Sequence, residues 1–412
     1  MKSEIESMPM KSSNKNSQDV PSGYKRTEIG VIPKDWEVLP IKKCVKNIIS
    51  GGTPSTNVSK YWVGDIPWIT GVDIVEQKLT NIRRYICNEA IINSSTNIVG
   101  KNNLLVVTRT GVGKIAIAPF RVAISQDLTG LECIPEEINT YFLFHWLNFS
   151  MYSITKLTQG TSINGVTKDV LIEHLVPKPG LKEQKAIAKV LSDVDSLIDS
   201  LDKLIHKKKA IKKAAMQQLL TGETRLPGFT EPWETRRLKD ILTYERPEKF
   251  IVKDTEYQES GTVPVLTANQ SFVLGYTYEK FGIYKDIPVI IFDDFTTESK
   301  WVNKPFKIKS SAIKILKSKT KSISLRYIFE RIQLINFSLG DHKRYYISEY
   351  QNIEIEIPNY KEQKAIAKVL SDMDDEIEAL EKRKEKTEQI KQSMMQQLLT
   401  GKIRLLTLEE NQ

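Results

Sequence analysis

Histidine and cysteine are scarce in this sequence of 412 residues, at four and three. Cys44, Cys87 and Cys133 lie far apart with no CxxC, which speaks against a disulfide framework or a thiolate metal site and fits a reducing, cytoplasmic setting. His145, His174, His206 and His342 are scattered, without the spacing of metal ligands. No apolar run approaches the ~18 residues that a membrane-crossing helix needs, so no membrane partner is expected. The polar start lacks the apolar core of a signal peptide; we read 1–22 as a disordered leader and 406–412 as a tail. No N-P-P-aromatic stretch of an amino-methyltransferase occurs. Positive charge, by contrast, is plentiful: 60 Lys and Arg face 51 Asp and Glu, a net of +9. The pI of about 9.1 fits a polyanionic partner. The length suits about two to three domains with ordinary cores.

The chain contains one stretch twice. Lys182 to Leu226 reads KEQKAIAKVLSDVDSLIDSLDKLIHKKKAIKKAAMQQLLTGETRL, and Lys361 to Leu405 reads KEQKAIAKVLSDMDDEIEALEKRKEKTEQIKQSMMQQLLTGKIRL. The offset is 179 residues throughout, the first twelve residues are identical, and so is MQQLLTG near the close. A duplication of this length sets the architecture.

Each copy reads as one long helix. Ile187, Val190, Val194, Leu197, Leu201, Leu204, Ile211 and Ala215 follow alternating steps of three and four, with Lys208 the polar exception, and predict a heptad seam. Leu191, Ile198 and Ile205 flank it. The second copy keeps Ile366, Val369, Met373, Leu380, Ile390 and Met394, flanked by Leu370 and Ile377 and interrupted by Glu376, Arg383 and Thr387. Pro179-Gly180 and Pro358 mark the starts; Gly222 and Gly401 stand where a helix C-terminal stop is expected. About 39 residues at 1.5 Å each make a rod of roughly 58 Å. One such rod cannot bury its stripe alone, but two in one chain can bury theirs against each other.

The repeat extends beyond the helix. Ile29 to Glu37 (IGVIPKDWE) and Pro227 to Glu234 (PGFTEPWE) are matched lead-ins, each followed by an apolar-Lys pair, Ile41-Lys42 and Leu238-Lys239. The tryptophans read as core anchors. Between lead-in and helix the two interiors share little, which suggests one job performed on two targets. The first runs through the turn-rich loop Ser50 to Asn57, an aromatic stretch Tyr61 to Ile69 and Ala90-Ile91-Ile92 as a helix edge. A buried strand Asn103 to Val107 follows, then a basic glycine turn Thr108 to Lys114, a helix from Thr140 to Ser153, a polar loop Gln159 to Val166 and a strand Val170 to Pro177. The expected organisation is α+β: 23–180 and 223–358 are globular domains, and 181–222 and 359–405 are spacer helices.

Several stretches imitate catalytic motifs. Gly111-Val112-Gly113-Lys114-Ile115-Ala116 fits G-x-G-x-x-A, but the following IAIAPF alternates like a strand and Pro119 leaves no room for the helix that a dinucleotide site requires. Asp293, Asp294, Glu298 and Lys300 resemble the D…E-x-K set of a metal-dependent nuclease, with the acids too close together for the usual hairpin. A stand-alone nuclease and a coiled-coil adaptor without a nucleic-acid role are the alternative readings.

Taken together, the KEQKAIAKVLSD…MQQLLTG blocks, the IPKDWE and FTEPWE lead-ins, GGTPST…GDIPW in the first interior and HKRYYISEY in the second resemble the DNA-specificity subunit of type I restriction-modification systems. The resemblance runs from about Gly30 to Leu405. It implies two target-recognition domains that read the halves of a bipartite site on double-stranded DNA, with two antiparallel helices setting the gap. It also implies a chain without catalysis or cofactor of its own. Two methyltransferase subunits would dock on it, restriction-translocase subunits would join through the complex, and S-adenosylmethionine, ATP and Mg would sit on those partners.

Direct reading of base edges calls for Arg, Lys, Asn, Gln, Ser or Thr, and other cations hold phosphates. The polar loops of the first interior supply Thr53, Ser55, Lys60, Arg109, Thr110, Lys114, Thr161, Ser162 and Asn164. Those of the second supply Thr267, Asn269, Gln270, Lys300, Lys304, His342, Lys343 and Arg344. Arg109 with Lys114, and Lys343 with Arg344, suit phosphate better than a base. For partner docking the helix ends offer Gln217, Gln218, Gln396 and Gln397.

Overall fold

The structure, a computed structural model, describes residues 20–109, 112–158, 166–267, 272–339 and 344–405. The chain divides into two compact units. Unit 1 takes residues 1–200 and 384–412, and unit 2 takes 201–383. Each therefore holds one globular region together with half of each long helix.

The central helix spans Leu181–Leu220 and the distal helix Tyr360–Leu398. Neither has a Gly or Pro inside it. The distal helix opens on an Asn cap, Asn359 accepting from the Glu362 N–H at 3.0 Å. Both run out just before a glycine in the left-handed region, Gly222 (φ +76) and Gly401 (φ +68), which L side chains seldom adopt.

Within each unit the two helices run antiparallel. In unit 1, Ile187, Ala188 and Leu191 share a core with Met395, Leu398 and Leu399, and Asp195 pairs with Lys391 at 2.5 Å. In unit 2, Leu219 and Leu220 share a core with Ile366, Ala367 and Leu370. Lys212 pairs there with Asp374 at 2.6 Å, and Lys208 and Lys209 pair with Glu376 and Glu381. Lys212 and Lys391, like Asp195 and Asp374, are equivalent residues of the repeat, so one ion pair is built twice.

The buried line departs from the expected seam in part: Ile187, Leu201 and Ile366 are buried as expected, and other seam positions are not. Leu197, Leu204 and Ile211 are 38–44% exposed, and Ile390 in the second copy is also exposed. The positions expected only to flank the seam, Leu191 and Ile205, are buried instead, as are Leu370 and Ile377. At Leu191 and Leu370 the cause is a third body on that side, since each shares a core with its globular region. His145, on the helix Thr140–Thr158, contacts Ser192 at 3.1 Å in unit 1. Arg326, on the helix Leu325–Ile332, bonds Asp374 in unit 2. Periodicity identifies a stripe, but the neighbours choose which edge of it is covered.

The globular regions differ in sequence and share a strand order, unit 1 adding one strand, Asn97–Val99, to its second sheet. In unit 1 one antiparallel sheet has the order Ile115–Ile117, Leu104–Val107, Leu128–Cys133, Val45–Ser50; a second has the order Tyr85–Ile86, Ile66–Ile69, Val122–Ile124, Asn97–Val99. In unit 2 the first sheet is Ser299–Val302, Val289–Asp293, Ile313–Ser318, Leu242–Glu245, and the second is Val273–Thr277, Val263–Leu266, Lys307–Ile308. Each second sheet contains one parallel pair: Ile66–Ile69 with Val122–Ile124, and Val263–Leu266 with Lys307–Ile308. The central strands Leu104–Val107 and Val289–Asp293 are buried at every residue, the pattern of strands covered on both faces.

The lead-ins form matching strands, Glu37–Pro40 paired with Leu175–Lys178 and Glu234–Arg237 paired with Glu354–Ile357. One-turn helices Ile41–Cys44 and Leu238–Ile241 follow. Two expectations for the first interior need correction. The aromatic helix runs on to Thr158. Val170 to Pro177 is mostly not strand: Lys168–Glu173 is a helix, and the strand is only Leu175–Lys178. Thr167 caps that helix, its hydroxyl accepting from the Val170 N–H at 3.3 Å. The Thr-Lys-Asp start is an N-terminal helix signal that outweighs the β-branched residues after it.

The identical ends of the repeat are explained by contacts made twice. In unit 1, Arg404 bonds both oxygens of Glu183 at 2.7 and 2.9 Å and lies 5.6 Å over the ring of Trp36. In unit 2, Arg225 bonds both oxygens of Glu362, each at 2.6 Å, and lies 5.6 Å over Trp233. The glutamine of each KEQ also repeats its work. Gln184 accepts from the Asn139 N–H and donates to the Pro179 carbonyl; Gln363 accepts from the Ser324 N–H and donates to the Pro358 carbonyl. Each KEQ thus holds a globular region with one residue and the end of the opposite long helix with the other. Both residues are buried in both copies, so neither position tolerates an unpaired group cheaply.

Candidate nucleic-acid interface

The nuclease-like residues of unit 2 are structural. Asp294 is 1% exposed, pairs with Lys314 at 2.9 Å and accepts from the Tyr346 N–H at 2.8 Å. Asp293 closes a turn by accepting from the N–H groups of Phe295 and Thr296. With their lone pairs so used, they are poorly placed to hold a cation, and among the described residues no His/Cys/Asp/Glu group could bind a metal. The dinucleotide lookalike ends in the strand Ile115–Ile117, so a helix N-terminus for a pyrophosphate is missing there.

In unit 1 the Gly51-Gly52-Thr53-Pro54 loop is an architectural element first. A Cβ on Gly51 would lie 2.1 Å from the Ser125 carbonyl oxygen, and one on Gly52 would lie 2.1 Å from the Ser95 hydroxyl. The glycines let the loop press against the sheet. Two indoles then tie it down: Trp68 Nε1 donates to the Gly52 carbonyl at 3.1 Å and Trp62 Nε1 to the Ser55 carbonyl at 3.2 Å. The exposed Thr53 hydroxyl donates to Gln126, and Ser55 stands exposed. Lys60 is exposed and pairs with Glu89 at 2.5 Å, and that carboxylate raises the lysine's pKa. Lys114 is half-buried with its Nζ 3.4 Å from the Gly71 carbonyl, while Arg109 is exposed. Thr110, Thr161, Ser162 and Asn164 lie outside the described residues.

In unit 2, Thr267 is buried and its N–H closes a turn onto the Phe272 carbonyl at 3.0 Å. Lys300 is half-buried within a strand. Lys304 is exposed and near enough to Glu378 on the distal helix to help lower that carboxyl's pKa, behind Lys382. Arg344 is exposed, 5.9 Å over the Phe295 ring. Asn269, Gln270, His342 and Lys343 lie outside the described residues.

Residue types alone missed one open cleft. It lies in unit 1, has a volume of about 830 Å³, and is lined by Thr56, Ser59, Trp62, Arg83, Arg84 and Tyr85 among others. Arg83 bonds Asp73 through Nε and Nη2 and also reaches the Thr70 hydroxyl. Burial works to raise the Asp73 carboxyl, but the hydrogen bonds from Arg83 and Thr70 prevail and hold it below the usual carboxylate range. Arg84 lies 5.8 Å from the Trp62 ring and 5.6 Å from Trp68. The available signal was the run Arg83-Arg84-Tyr85, basic residues beside an aromatic, the mixture that nucleic-acid surfaces use.

At the helix ends Gln217, Gln218 and Gln396 are exposed and Gln397 is half-buried. The carbonyl of Gln217 accepts from Thr221 and that of Gln396 from Thr400; those of Gln218 and Gln397 accept from the Thr224 and Ile403 N–H groups. Their backbones finish the helices, which leaves the side-chain amides of the exposed three free for solvent or a partner. In unit 1, Gln397 also lines a cleft of about 550 Å³ with Val190, Ile390, Met394, Ile403 and Leu405. No helix among the described residues is long and apolar enough to cross a membrane.

The family model for the type I restriction modification DNA specificity domain matches residues 33–213 and 230–392. The type I restriction enzyme EcoR124I/EcoR124II specificity subunit of Escherichia coli is 43% identical over 148 residues, 35% of this chain and 36% of that protein. The match thus spans about a third of that relative's length. The type I restriction enzyme MjaVIII specificity subunit of Methanocaldococcus jannaschii is 26% identical over 415 residues, 92% of this chain and 95% of that one. Among solved structures, a type I restriction-modification S subunit from M. genitalium aligns with a TM-score of 0.63 at 15% identity, over 88% of this chain and 96% of that one. A chain from work on complex assembly and conformational transition of the type I R-M system aligns at 0.51 with 14% identity, over 90% and 99%.

Proposed function

We propose, from the premise that this chain belongs to the type I restriction modification DNA specificity family, that it is the sequence-reading subunit of a type I restriction-modification complex and carries out no chemistry itself. Each globular region reads one half of a bipartite site on double-stranded DNA. The paired helices set the gap between the halves. Two methyltransferase subunits dock on the chain and bring S-adenosylmethionine; restriction-translocase subunits join through the complex and bring ATP and Mg.

The observation that carries this reading is the duplication of the Arg–Glu–Trp and glutamine contacts around two sheets of equal topology and unlike sequence. A device that reads two different half-sites needs that combination, since the supports must match while the readers must not. Docking of two like partners is supported by the repeat as well. Ile390, in the unit 1 cleft, and its equivalent Ile211 in unit 2 are both exposed, at 47% and 44%, as are Gln217, Gln218 and Gln396. Apolar exposure at equivalent positions fits one partner surface used twice.

The test is the methylated sequence itself. The chain, assembled with its methyltransferase partners, should modify a split motif with an unread gap. Exchange of residues 37–165 for the first region of another family member should alter one half only. Seven residues inserted into each long helix add about 10 Å of rise, which should widen the gap by about three base pairs at ~3.4 Å each. A contiguous motif, or both halves changing on exchange of one region, would overturn the proposal.

A further inference from the structure

One cation of the unit 1 cleft is held in a way that the sheet beneath does not need. Arg84 is exposed, yet its guanidinium carbon lies near two indoles, 5.8 Å from the Trp62 ring centre and 5.6 Å from that of Trp68. The indoles meet edge to face with centroids 5.0 Å apart. Both rings are fixed in turn, by their Nε1 bonds to the Ser55 and Gly52 carbonyls. The Arg84 backbone is fixed too, its carbonyl accepting from the Trp68 N–H at 3.0 Å. Arg83 next to it is spent on Asp73. Among the described residues Arg84 has no carboxylate partner.

A guanidinium beside aromatic rings and without a carboxylate partner keeps N–H donors available, and five donors in a rigid plane match two acceptors side by side. Guanine presents such a pair, O6 and N7, in the major groove. A phosphate presents two acceptors as well, so the surroundings must decide. Val63, on the cleft wall, is 75% exposed. An apolar group there suits a thymine methyl or the flank of a base and gives nothing to a phosphate. The hydroxyl-bearing residues Thr56, Ser59 and Tyr85 line the same cleft, and their chemistry also suits base edges. The two neighbouring indoles limit the freedom of Arg84 before a ligand arrives, which turns contact energy into discrimination.

The geometry points to Arg84 as a specificity-determining residue of unit 1, donating to O6 and N7 of one guanine in that unit's half-site, with Trp62 and Trp68 as positioning residues. This rests on the reading that unit 1 contacts DNA. The experiment uses the intact complex with its methyltransferase partners. Binding is measured against duplexes in which every base of both half-sites is varied in turn, at several salt concentrations. The wild type should require a guanine at one position that R84A then releases, discrimination there falling roughly 10- to 100-fold. The other half-site should be unaffected and the salt dependence nearly unchanged. R84K, which keeps the charge without the fork, should lose most of the same discrimination, and W62F should lose part of it.

A uniform loss on all duplexes with a salt slope reduced by about one would make Arg84 a phosphate ligand and overturn the inference. So would no change at all, or a unit 1 half-site without guanine. R84K guards against misfolding, since it keeps the cation and the aliphatic stem, and its thermal midpoint is compared with that of the wild type. Failure of the underlying reading looks different, because the unsubstituted complex would then show no split motif.

Discussion

The two second sheets offer the sharpest contrast in the molecule. In unit 1 the edge strand is Tyr85–Ile86, preceded by Arg83 and Arg84; in unit 2 the strand in the same place is Val273–Thr277, with Val273, Leu274 and the following Tyr278 exposed. One edge presents a pair of arginines, the other aliphatic and aromatic groups. Unit 2 answers with lysines over rings instead: Lys253 lies 5.2 Å over Phe281 and Lys309 5.3 Å over Tyr257. The inward residues of each sheet must fill a core, which constrains them to apolar types. The outward residues at an edge carry no such duty and can diverge. The two units thus differ most at edge positions to which the fold is indifferent.

The supports of the two units can be compared by breaking them. Trp36 is fully buried and donates to Glu183 at 3.1 Å, whereas Trp233 is half-buried with its Nε1 unbonded. W36A should cost about 4 kcal/mol and W233A about half of that, read as urea unfolding midpoints. Equal losses would mean that the lead-ins are energetically alike despite their different burial.

Next in size, R404A leaves the Glu183 carboxylate buried without its bidentate partner and should destabilise unit 1 by about 3 kcal/mol. R225A should act in the same direction on unit 2, through Glu362. Both effects should shrink when the facing glutamate is replaced by methionine in the same chain, since no orphaned charge then remains.

Acid should separate the units further. Burial, with help from Lys391, lowers the pKa of His145 to about 3; burial lowers that of His174 to about 4. Both are in unit 1. The unfolded chain takes up these protons near pH 6.5, while the folded chain does so only near 3 to 4. Stability from this source is thus complete above pH 6.5 and declines as pH falls towards those values. At pH 5 the loss is roughly 2 kcal/mol for each histidine. Glu330 in unit 2 has the opposite sign. Burial raises its pKa despite Lys212 and Arg326, so its contribution is largest in acid and falls as pH rises through the raised value. Replacement of His145 by Asn should flatten the acid slope by one proton, measured by urea titrations between pH 5 and 7.5.

The smallest expected effect concerns the exposed helical pairs Lys189–Asp193 and Lys368–Asp372, equivalent residues in the repeat. K189A and K368A should each change stability by less than about 0.5 kcal/mol. A larger change in one of them would reveal a role for that face beyond helix stability.

Much of this could be read from the chain itself. The duplicated KEQ and TG segments announced two long helices with glycine stops, two stripes that needed cover pointed to their pairing, and the resemblance implied that they pair antiparallel. The lead-in tryptophans were recognisable as anchors because each stood at a matched position. The covered edge of the stripe was not legible, because His145 and Arg326 arrive from distant sequence. The Arg84 cleft was missed for a similar reason: Trp62, Trp68 and Arg84 meet only once the strands Ile66–Ile69 and Tyr85–Ile86 pair.

The sequence alone determined the repeat, the helices and their ends, since these rest on local propensity and on identity between copies, and both are visible along one dimension. The tertiary structure alone decided that two dissimilar interiors adopt one strand order, and which cations are spent on carboxylates and which remain to meet a ligand. Strand pairing and ion pairing join residues far apart in the chain, so their outcome depends on distances that no linear pattern contains.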